Sequence, residues 1–529
     1  MQLPSTVLLF VVVTTLSGST VYCEDPTEVI NRSIREQWRK TSVIGATDCT
    51  EPQLVRRLYL DLAGRIPALD EVQSFINDDT PNKNVLLVDH ILQSEDYVQH
   101  FADVFDTLLM GRTQPNQYNE RQKHQWRSWL ENIFRENRPW NDVVVAMLLA
   151  RPNSQSNRGA VWFLYERNND HQKMAEAIAP AIFGIHIECA QCHDHMIATE
   201  IKQAHYWGLV AFFNRSTNQK TSSGPRVAES AVGGFSEFSN LEGTSTPNLL
   251  TFLDADVVEE ARPSNDEQTE DRNELYVPAS LAKDPRVPAF SRREQFVEQV
   301  AKNHPLVARA FVNRVWAMLL GRGIVHPFDE MDSVHEPSHP ELLDWLAEDF
   351  RQSNYNIRRL VRSIVLSAPY GLDSLQPEGI DNPATFAWYL ERPLTAEQLA
   401  RSIETALRGI PSRQPASLLE SMRQNLPEVL PEEPVTAIKH ALFLSNNNAL
   451  NQFISDSQDP SHLIPQILQL DSSDARTEQL FQTIFSRSPT IEEHHPIINY
   501  LGSDPSKHSK RLQQITWSML TSAEFRFNH

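Results

Sequence analysis

Two cysteines and a histidine stand close together in the run Cys189-Ala-Gln-Cys192-His193. This Cys-x-x-Cys-His spacing is the one used for covalent attachment of c-type haem. Two thiols separated by two residues can reach both vinyl groups at one edge of a porphyrin, and the adjacent imidazole then lies beneath the iron as its ligand. We therefore expect Cys189 and Cys192 to hold haem c and His193 to coordinate its iron.

A structural zinc site is the first alternative interpretation of this segment. Structural zinc takes four nitrogen or sulfur ligands, commonly two thiolates and two imidazoles. The chain offers five such side chains within seventeen residues: Cys189, Cys192, His193, His195 and His205. A protein with this site would be a non-redox scaffold or binding protein.

A disulfide between Cys189 and Cys192 is the second alternative. Catalytic Cys-x-x-Cys pairs normally sit where a helix begins, because the helix N-terminus lowers the thiol pKa. The apolar pattern instead predicts a helix over residues 170–187 that leads into the pair from its other end. The Cys-x-x-Cys-His spacing and the expected export of the protein, for which the evidence is given below, together favour haem over zinc. They also favour haem over a catalytic or a structural disulfide.

A second group of possible ligands lies in one later loop, where His326, His335 and His339 accompany Asp329 and Asp332. Histidine and carboxylate side chains are metal ligands, but such residues are also common in loops. Because three prolines interrupt this loop, a turn that caps the next helix is the favoured interpretation. No established catalytic motif accompanies either group, so the sequence does not decide whether the protein is an enzyme.

The first 23 residues predict a signal peptide. Residues 6–16 form an apolar run of eleven, about half the length that a membrane-spanning helix needs. Small residues follow it, and we expect cleavage after Cys23, with Thr20 as the second choice. We therefore expect an exported protein of the periplasm or cell surface, with no membrane span after removal of the signal.

Composition excludes several classes of partner. The formal net charge of −20 argues against nucleic acid, because a protein that binds phosphates needs a basic face. The same charge would repel anionic lipid. With four cysteines in 529 residues, disulfides do not hold this exported chain together. With nucleic acid and anionic lipid disfavoured, we expect a redox partner or another protein partner, which the sequence does not identify.

The elements expected to position these residues are mostly helices. Apolar side chains recur at helical spacing through most of the chain, whereas residues 215–290 are polar, then acidic, and sustain no such period. We predict a mainly α protein of two helical domains joined by a long, polar and acidic, mostly irregular segment with possible short strands. The expected bounds are a signal peptide at 1–23, a helical domain at 24–214, a linker at 215–290 and a second helical domain at 291–529.

Long stretches of this sequence resemble a known pair of domains. Residues 181–195 and 206–213, with 54–67 and 87–97 upstream, are similar to the planctomycete cytochrome-like domain of unknown function. A second set resembles the C-terminal domain that usually accompanies it: residues 303–305, 312–316, 321–325, 337–343, 392–399 and 522–529.

The resemblance implies an exported helical protein whose Cys-x-x-Cys-His motif gives the family its cytochrome-like description. It also implies an exported sulfatase-like protein as the usual partner, and hence a connection to polysaccharide metabolism. The expected function is that of an exported monohaem c-type protein that transfers electrons to or from an unidentified partner.

Overall fold

The computed structural model describes residues 24–152, 155–263, 270–281, 283, 285–409, 417–426, 430, 443–444, 446–455 and 459–529. The predicted signal peptide lies outside these residues. The fold is mainly α, as predicted, and strands in the described ranges form only short antiparallel pairs. None of the described helices is both long enough and apolar enough to cross a bilayer.

The N-terminal half is built from eleven α-helices. Their bounds are Pro26–Thr41 (α1), Glu51–Leu58 (α2), Leu69–Ile76 (α3), Lys83–Leu92 (α4), Glu95–Met110 (α5), Pro115–Lys123 (α6), Trp126–Arg135 (α7), Trp140–Leu149 (α8), Trp162–Tyr165 (α9), His171–Ile178 (α10) and Gln203–Phe213 (α11). Two of them continue as a single π-helical turn, α2 into Tyr59–Ala63 and α10 into Ala179–Phe183.

The segment predicted as a linker contains the expected short strands. Ser216–Thr221 (β1) pairs with Gly224–Glu229 (β2), and Glu237–Ser239 (β3) pairs with Ser245–Pro247 (β4). Buried ion pairs fasten the segment to the helices on either side of it. Glu229 binds Arg151 at 2.6 Å and Arg293 at 3.3 Å.

Twelve further described α-helices follow this segment. They are Arg292–Gln295 (α12), Pro305–Leu320 (α13), Pro340–Gln352 (α14), Ile357–Val365 (α15), Ala396–Arg408 (α16), Ser417–Arg423 (α17), Asn448–Ser455 (α18), Leu463–Leu468 (α19), Ser473–Phe485 (α20), Ile491–Leu501 (α21), His508–Thr521 (α22) and Ala523–Arg526 (α23). A last pair joins Arg392–Pro393 (β5) to Phe527–Asn528 (β6).

The buried apolar side chains form two clusters. The first draws on residues from Val29 to Tyr389, and so includes helices from both sides of the 215–290 segment. The second draws on Leu394 to Phe525, together with Leu60 and Ile66 from the N-terminal half. The π turn Tyr59–Ala63 therefore contributes side chains to both clusters.

Two local expectations were wrong. The helix predicted over 170–187 ends at Phe183, because Gly184 adopts the left-handed conformation with φ 67° and closes the last turn. The spacing of Ser338 and Glu341 also predicts a capping box, but the residue before α14 is His339, and the Ser338 hydroxyl donates to the Ile324 carbonyl at 3.2 Å. Thr395 and Gln398 have the same spacing, and the capping box that it predicts ahead of α16 is present.

Candidate functional site

The Cys-x-x-Cys-His run follows a short irregular segment after Gly184. Within this segment, Ile185 and Ile187 are buried while His186 and Glu188 between and after them are exposed. The buried pair anchors the segment to the first cluster, so the loop leaves the core at a fixed point. A 3₁₀ turn over Glu188–Gln191 then carries the first cysteine.

The two thiols are free and exposed at the surface. Cys189 lies within the 3₁₀ turn, and Cys192 is the residue that directly follows it. Ala190 between them is fully buried, and its N–H donates to the Ile187 carbonyl at 2.9 Å. The turn is thus fixed from below while both sulfur atoms face solvent.

The hydrogen bond of His193 determines which of its ring nitrogens can bind a metal. Its Nδ1 lies 2.7 Å from the carbonyl oxygen of Asp194. Because a carbonyl oxygen can only accept, Nδ1 carries the proton and donates it. Nε2 therefore keeps its lone pair, which is the arrangement usual in metal-ligating histidines, whose other N–H donates to a carbonyl or carboxylate.

The other two predicted histidines have the opposite arrangement. Nδ1 of His195 accepts from the N–H of Ala198 at 2.9 Å, and Nδ1 of His205 accepts from the N–H of Lys202 at 3.3 Å. In a neutral ring the proton is then on Nε2, which leaves no free lone pair for a metal. Both rings serve as local caps for the backbone.

The five predicted ligands do not converge on one point. Among the described residues, the only three histidine, cysteine or carboxylate donors within 4.8 Å of one another belong to Glu330, Asp332 and His335. The cysteines and His193 therefore lie within five consecutive residues, whereas His195 and His205 accept hydrogen bonds from backbone N–H groups three residues away.

Polar contacts from α11 hold the motif in place. Asp194 accepts from the N–H of Gln203 at 2.9 Å. The Gln191 carbonyl accepts from the Gln203 amide at 3.2 Å and from the indole of Trp207 at 3.0 Å. Helix α11 thus fastens the motif on the side that follows it in sequence.

A loop of the C-terminal half fastens the other side. The N–H of Met331 donates to the Gly184 carbonyl at 2.7 Å, and Ser333 donates to the Glu200 carboxylate from its N–H at 2.6 Å and its hydroxyl at 2.7 Å. From α13, Arg314 donates to the Ala181 carbonyl at 3.0 Å. These partners lie more than one hundred residues away in sequence, and no local pattern signals them.

His186 completes this contact as part of an ion triad. Its Nε2 lies 3.1 Å from Asp329 and its Nδ1 lies 3.4 Å from Glu188. The hydrogen bonds to Asp329 and then to Glu188 raise the pKa of His186 to about 10. Both ring nitrogens are therefore protonated and occupied at neutral pH, which makes His186 unsuitable as a second iron ligand.

We expect this triad to give a measurable pH dependence. Because the folded pKa is raised, the stabilisation is fully present below about pH 6.5, the unfolded value, and is lost as the pH rises through about 10. Replacing His186 by Gln should lower the free energy of unfolding by about 0.5–1 kcal/mol at pH 6, a small value because the site is partly exposed. The difference should disappear near pH 11.

Two observations check this expectation. The midpoint of His186, followed by NMR, should fall toward the ordinary histidine range in the Asp329→Asn variant, which removes the larger cause of the raised pKa. A stability difference between His186→Gln and the parent that is equal at pH 6 and pH 11 would contradict the assignment.

The second predicted group of possible metal ligands, in the loop of His326, His335 and His339, is brought together only in part. His335 lies between two carboxylates, with Nδ1 2.9 Å from Asp332 and Nε2 2.8 Å from Glu330. The sequence interpretation missed Glu330. His339 is instead buried, and this burial lowers its pKa to about 4. The three histidines of the loop therefore do not form one site.

Comparisons with known proteins agree with the order of the two parts. A family model named PSCyt2, described as a protein of unknown function (DUF1549), matches residues 29–218. A second model named PSD1, described as a protein of unknown function (DUF1553), matches residues 292–410. No curated protein and no solved structure matches the chain. The chain therefore carries these two domains of unknown function one after the other, with the Cys-x-x-Cys-His turn in the first.

Proposed function

We propose that this protein is an exported monohaem c-type protein that transfers electrons to or from a protein partner. Cys189 and Cys192 would form the thioether bonds and His193 would bind the iron. The observation that supports this most directly is the His193 ring, whose Nδ1–H is held by the Asp194 carbonyl so that Nε2 is free to coordinate.

The position of the thiols supports the same proposal. Both are free and exposed, one within a 3₁₀ turn and the other directly after it. Cys189 and Cys192 would hold the haem if each thiol added across one vinyl group, which would bond sulfur to one vinyl carbon and place the thiol proton on the other. No oxidant or reductant is consumed. Bound haem would supply a one-electron redox centre.

Apolar surface next to the motif also suits haem. Met196 and Ile197, three and four residues after His193, are 84% and 67% exposed. When large apolar side chains as exposed as these lie together at a candidate site, they indicate a surface that a ligand or a partner covers. A porphyrin face is largely apolar, so these two side chains are available to pack against it.

Zinc remains the alternative that the same residues could serve. It would need His195 or His205 to give up its backbone hydrogen bond, because each now uses Nδ1 as an acceptor. Haem needs only His193 and the two thiols in their present arrangement. The geometry therefore favours haem, and a zinc-dependent scaffold is the outcome expected if the haem test fails.

The proposed location and partner rest on sequence. The predicted signal peptide supports an exported protein, periplasmic or at the cell surface, and attachment of c-type haem outside the cytoplasm is consistent with this. The resemblance to planctomycete proteins supports an exported sulfatase-like partner and a connection to polysaccharide metabolism.

A pyridine haemochrome spectrum tests the proposal. The protein is expressed with export and a c-type maturation system, and covalent haem is identified by a band that survives acid-acetone extraction. We expect this band in the parent protein and its loss in the Cys189→Ala, Cys192→Ala double variant, since both thioethers are then impossible.

Cys49 provides the matched control. It is a half-buried cysteine outside the motif, and burial raises the pKa of its thiol. The Cys49→Ala variant should keep the covalent haem band at the level of the parent. A colourless parent protein, from a host that matures a control cytochrome, would overturn the proposal and make a metal assay with chelator the next measurement.

A further inference from the structure

An open groove of about 500 Å³ lies in the C-terminal half, between α18 and α22. Its walls follow the helical spacing of one face of each helix, at positions three and four residues apart. The residues that form it are Asn451, Ile454, Ser455, Gln513, Gln514, Trp517 and Ser518.

The groove has an apolar floor and a neutral polar rim. Ile454 is buried and Trp517 is half-buried against the second cluster, so both form the floor. The rim consists of exposed amides and hydroxyls, such as Asn451, Ser455 and Gln514. Although 22% of the whole chain is charged, none of the described residues that line this groove carries a charge.

Much of the hydrogen-bonding capacity of the groove is unused within the described part of the chain. The side-chain amides of Asn451 and Gln513 and the indole N–H of Trp517 have no protein partner among the residues described there. Each amide can donate two hydrogen bonds and accept two. The groove thus presents donors and acceptors around an aromatic ring without a fixed charge.

A second aromatic residue, Tyr500 on α21, contacts one of the residues that line the groove. The hydroxyl of Tyr500, a residue that is 48% exposed, donates to the amide oxygen of Gln514 at 2.7 Å. This bond fixes the orientation of the Gln514 amide and leaves its NH₂ group free to donate. Gln514 therefore presents an oriented amide on the same helix as Trp517, three residues before it.

We propose that this groove binds a neutral saccharide chain. A sugar ring has an apolar face that packs on an indole ring. The hydroxyl groups around the edge of the sugar donate and accept hydrogen bonds, and the amides and hydroxyls on the rim of the groove can pair with them. A charged ligand would find no counter-ion among the described residues that line the groove, and burying an unpaired charge is costly. The net charge of −20 further disfavours a polyanion.

The inference goes beyond the proposed electron transfer and does not depend on it. The groove is built from α18 and α22, whereas the segment around the Cys-x-x-Cys-His motif contacts α11 and the loop around Asp329. Saccharide binding can therefore be measured on the protein whether or not haem is attached, and either proposal can fail alone.

Affinity electrophoresis of the full chain tests the inference. Native gels would contain starch, xylan, galactomannan or a mixed-linkage β-glucan as neutral probes, and carrageenan as a sulfated comparison. We expect retardation by at least one neutral polysaccharide. Replacing Trp517 by Ala should weaken that binding by about tenfold or more, since the variant loses an aromatic face and its contact area.

Two further variants make the test independent of folding defects. Asn451→Ala with Gln513→Ala removes only unpartnered amides at the groove and should also weaken binding. Trp345→Ala removes another half-buried tryptophan, on α14, and should leave binding unchanged. Retardation by none of the neutral probes, by carrageenan alone, or to an equal extent in all the groove variants would overturn the proposal.

Discussion

Replacing Asp61 by Ala is expected to lower the free energy of unfolding by about 3–5 kcal/mol, the cost of removing one partner of a buried ion pair. The Asp61 carboxylate, 2% exposed, accepts from Arg392 and Asn528 at 2.8 Å each. It also accepts from the hydroxyls of Tyr370 at 2.8 Å and Tyr389 at 3.1 Å. The variant would leave four buried donors without this acceptor.

The position of Asp61 explains why the effect should spread through the molecule. It lies between Leu60, which belongs to the second cluster, and Leu62, which belongs to the first. Its partners come from residues 370–392 and from the strand β6 at the end of the chain. The network therefore joins the two clusters through one carboxylate.

Guanidinium unfolding followed by circular dichroism measures this effect. The control is Asp89→Ala, which removes the carboxylate of an ion pair with Arg362 whose side chains are both about 40% exposed. Because such surface pairs contribute little, the control should lose less than about 1 kcal/mol. Equal losses in the two variants would show that Asp61 is not the junction inferred from these bonds.

Much of the helical structure could be predicted from sequence because the signals for it are local. The sequence pattern predicts helices over residues 69–77, 83–93 and 305–320, and α3, α4 and α13 match these bounds to within one residue. The end of α10 was missed, because the pattern continues through Ile185 and Ile187, which are buried although they are no longer helical. Burial alone does not distinguish a helical residue from a buried residue of an irregular segment.

The candidate site was predictable in its residue types and not in its surroundings. The spacing of Cys189, Cys192 and His193 indicates their chemistry without a structure. The proton position on His193 depends on one carbonyl, and the unsuitability of His186 as a ligand depends on Asp329, 143 residues away. Contacts at such separations follow from how the two halves pack, which a single sequence does not reveal.

Through these contacts, residues of the C-terminal half bond directly to the segment that carries the Cys-x-x-Cys-His motif. Asp329, Met331 and Ser333 all belong to the region matched by the second family model, and each bonds to a residue within eleven positions of Cys189. The loop that carries the motif is therefore clamped by the neighbouring domain. Any ligand of the motif would bind to a surface that both domains shape.

Replacing Gly184 by Ala is expected to weaken this clamp and lower the free energy of unfolding by about 2–5 kcal/mol. At φ 67°, a side chain costs about 1–2 kcal/mol. A Cβ atom would also lie 2.9 Å from Ala310 and 2.9 Å from Met331, and relief of such overpacking costs about 1–3 kcal/mol. Met331 would have to move, although its N–H donates to the Gly184 carbonyl.

Hydrogen exchange and guanidinium unfolding together distinguish the clamp from general strain. In Gly184→Ala, the Met331 amide should exchange faster than in the parent, because its acceptor is displaced. Gly243→Ala is the matched control, since Gly243 also has a positive φ of 80° but a Cβ there meets no atom within 4 Å. We expect it to show only the backbone penalty, with Met331 exchange unchanged. If both variants lose the same stability and leave Met331 protected, the close packing of Gly184 against α13 does not position the motif.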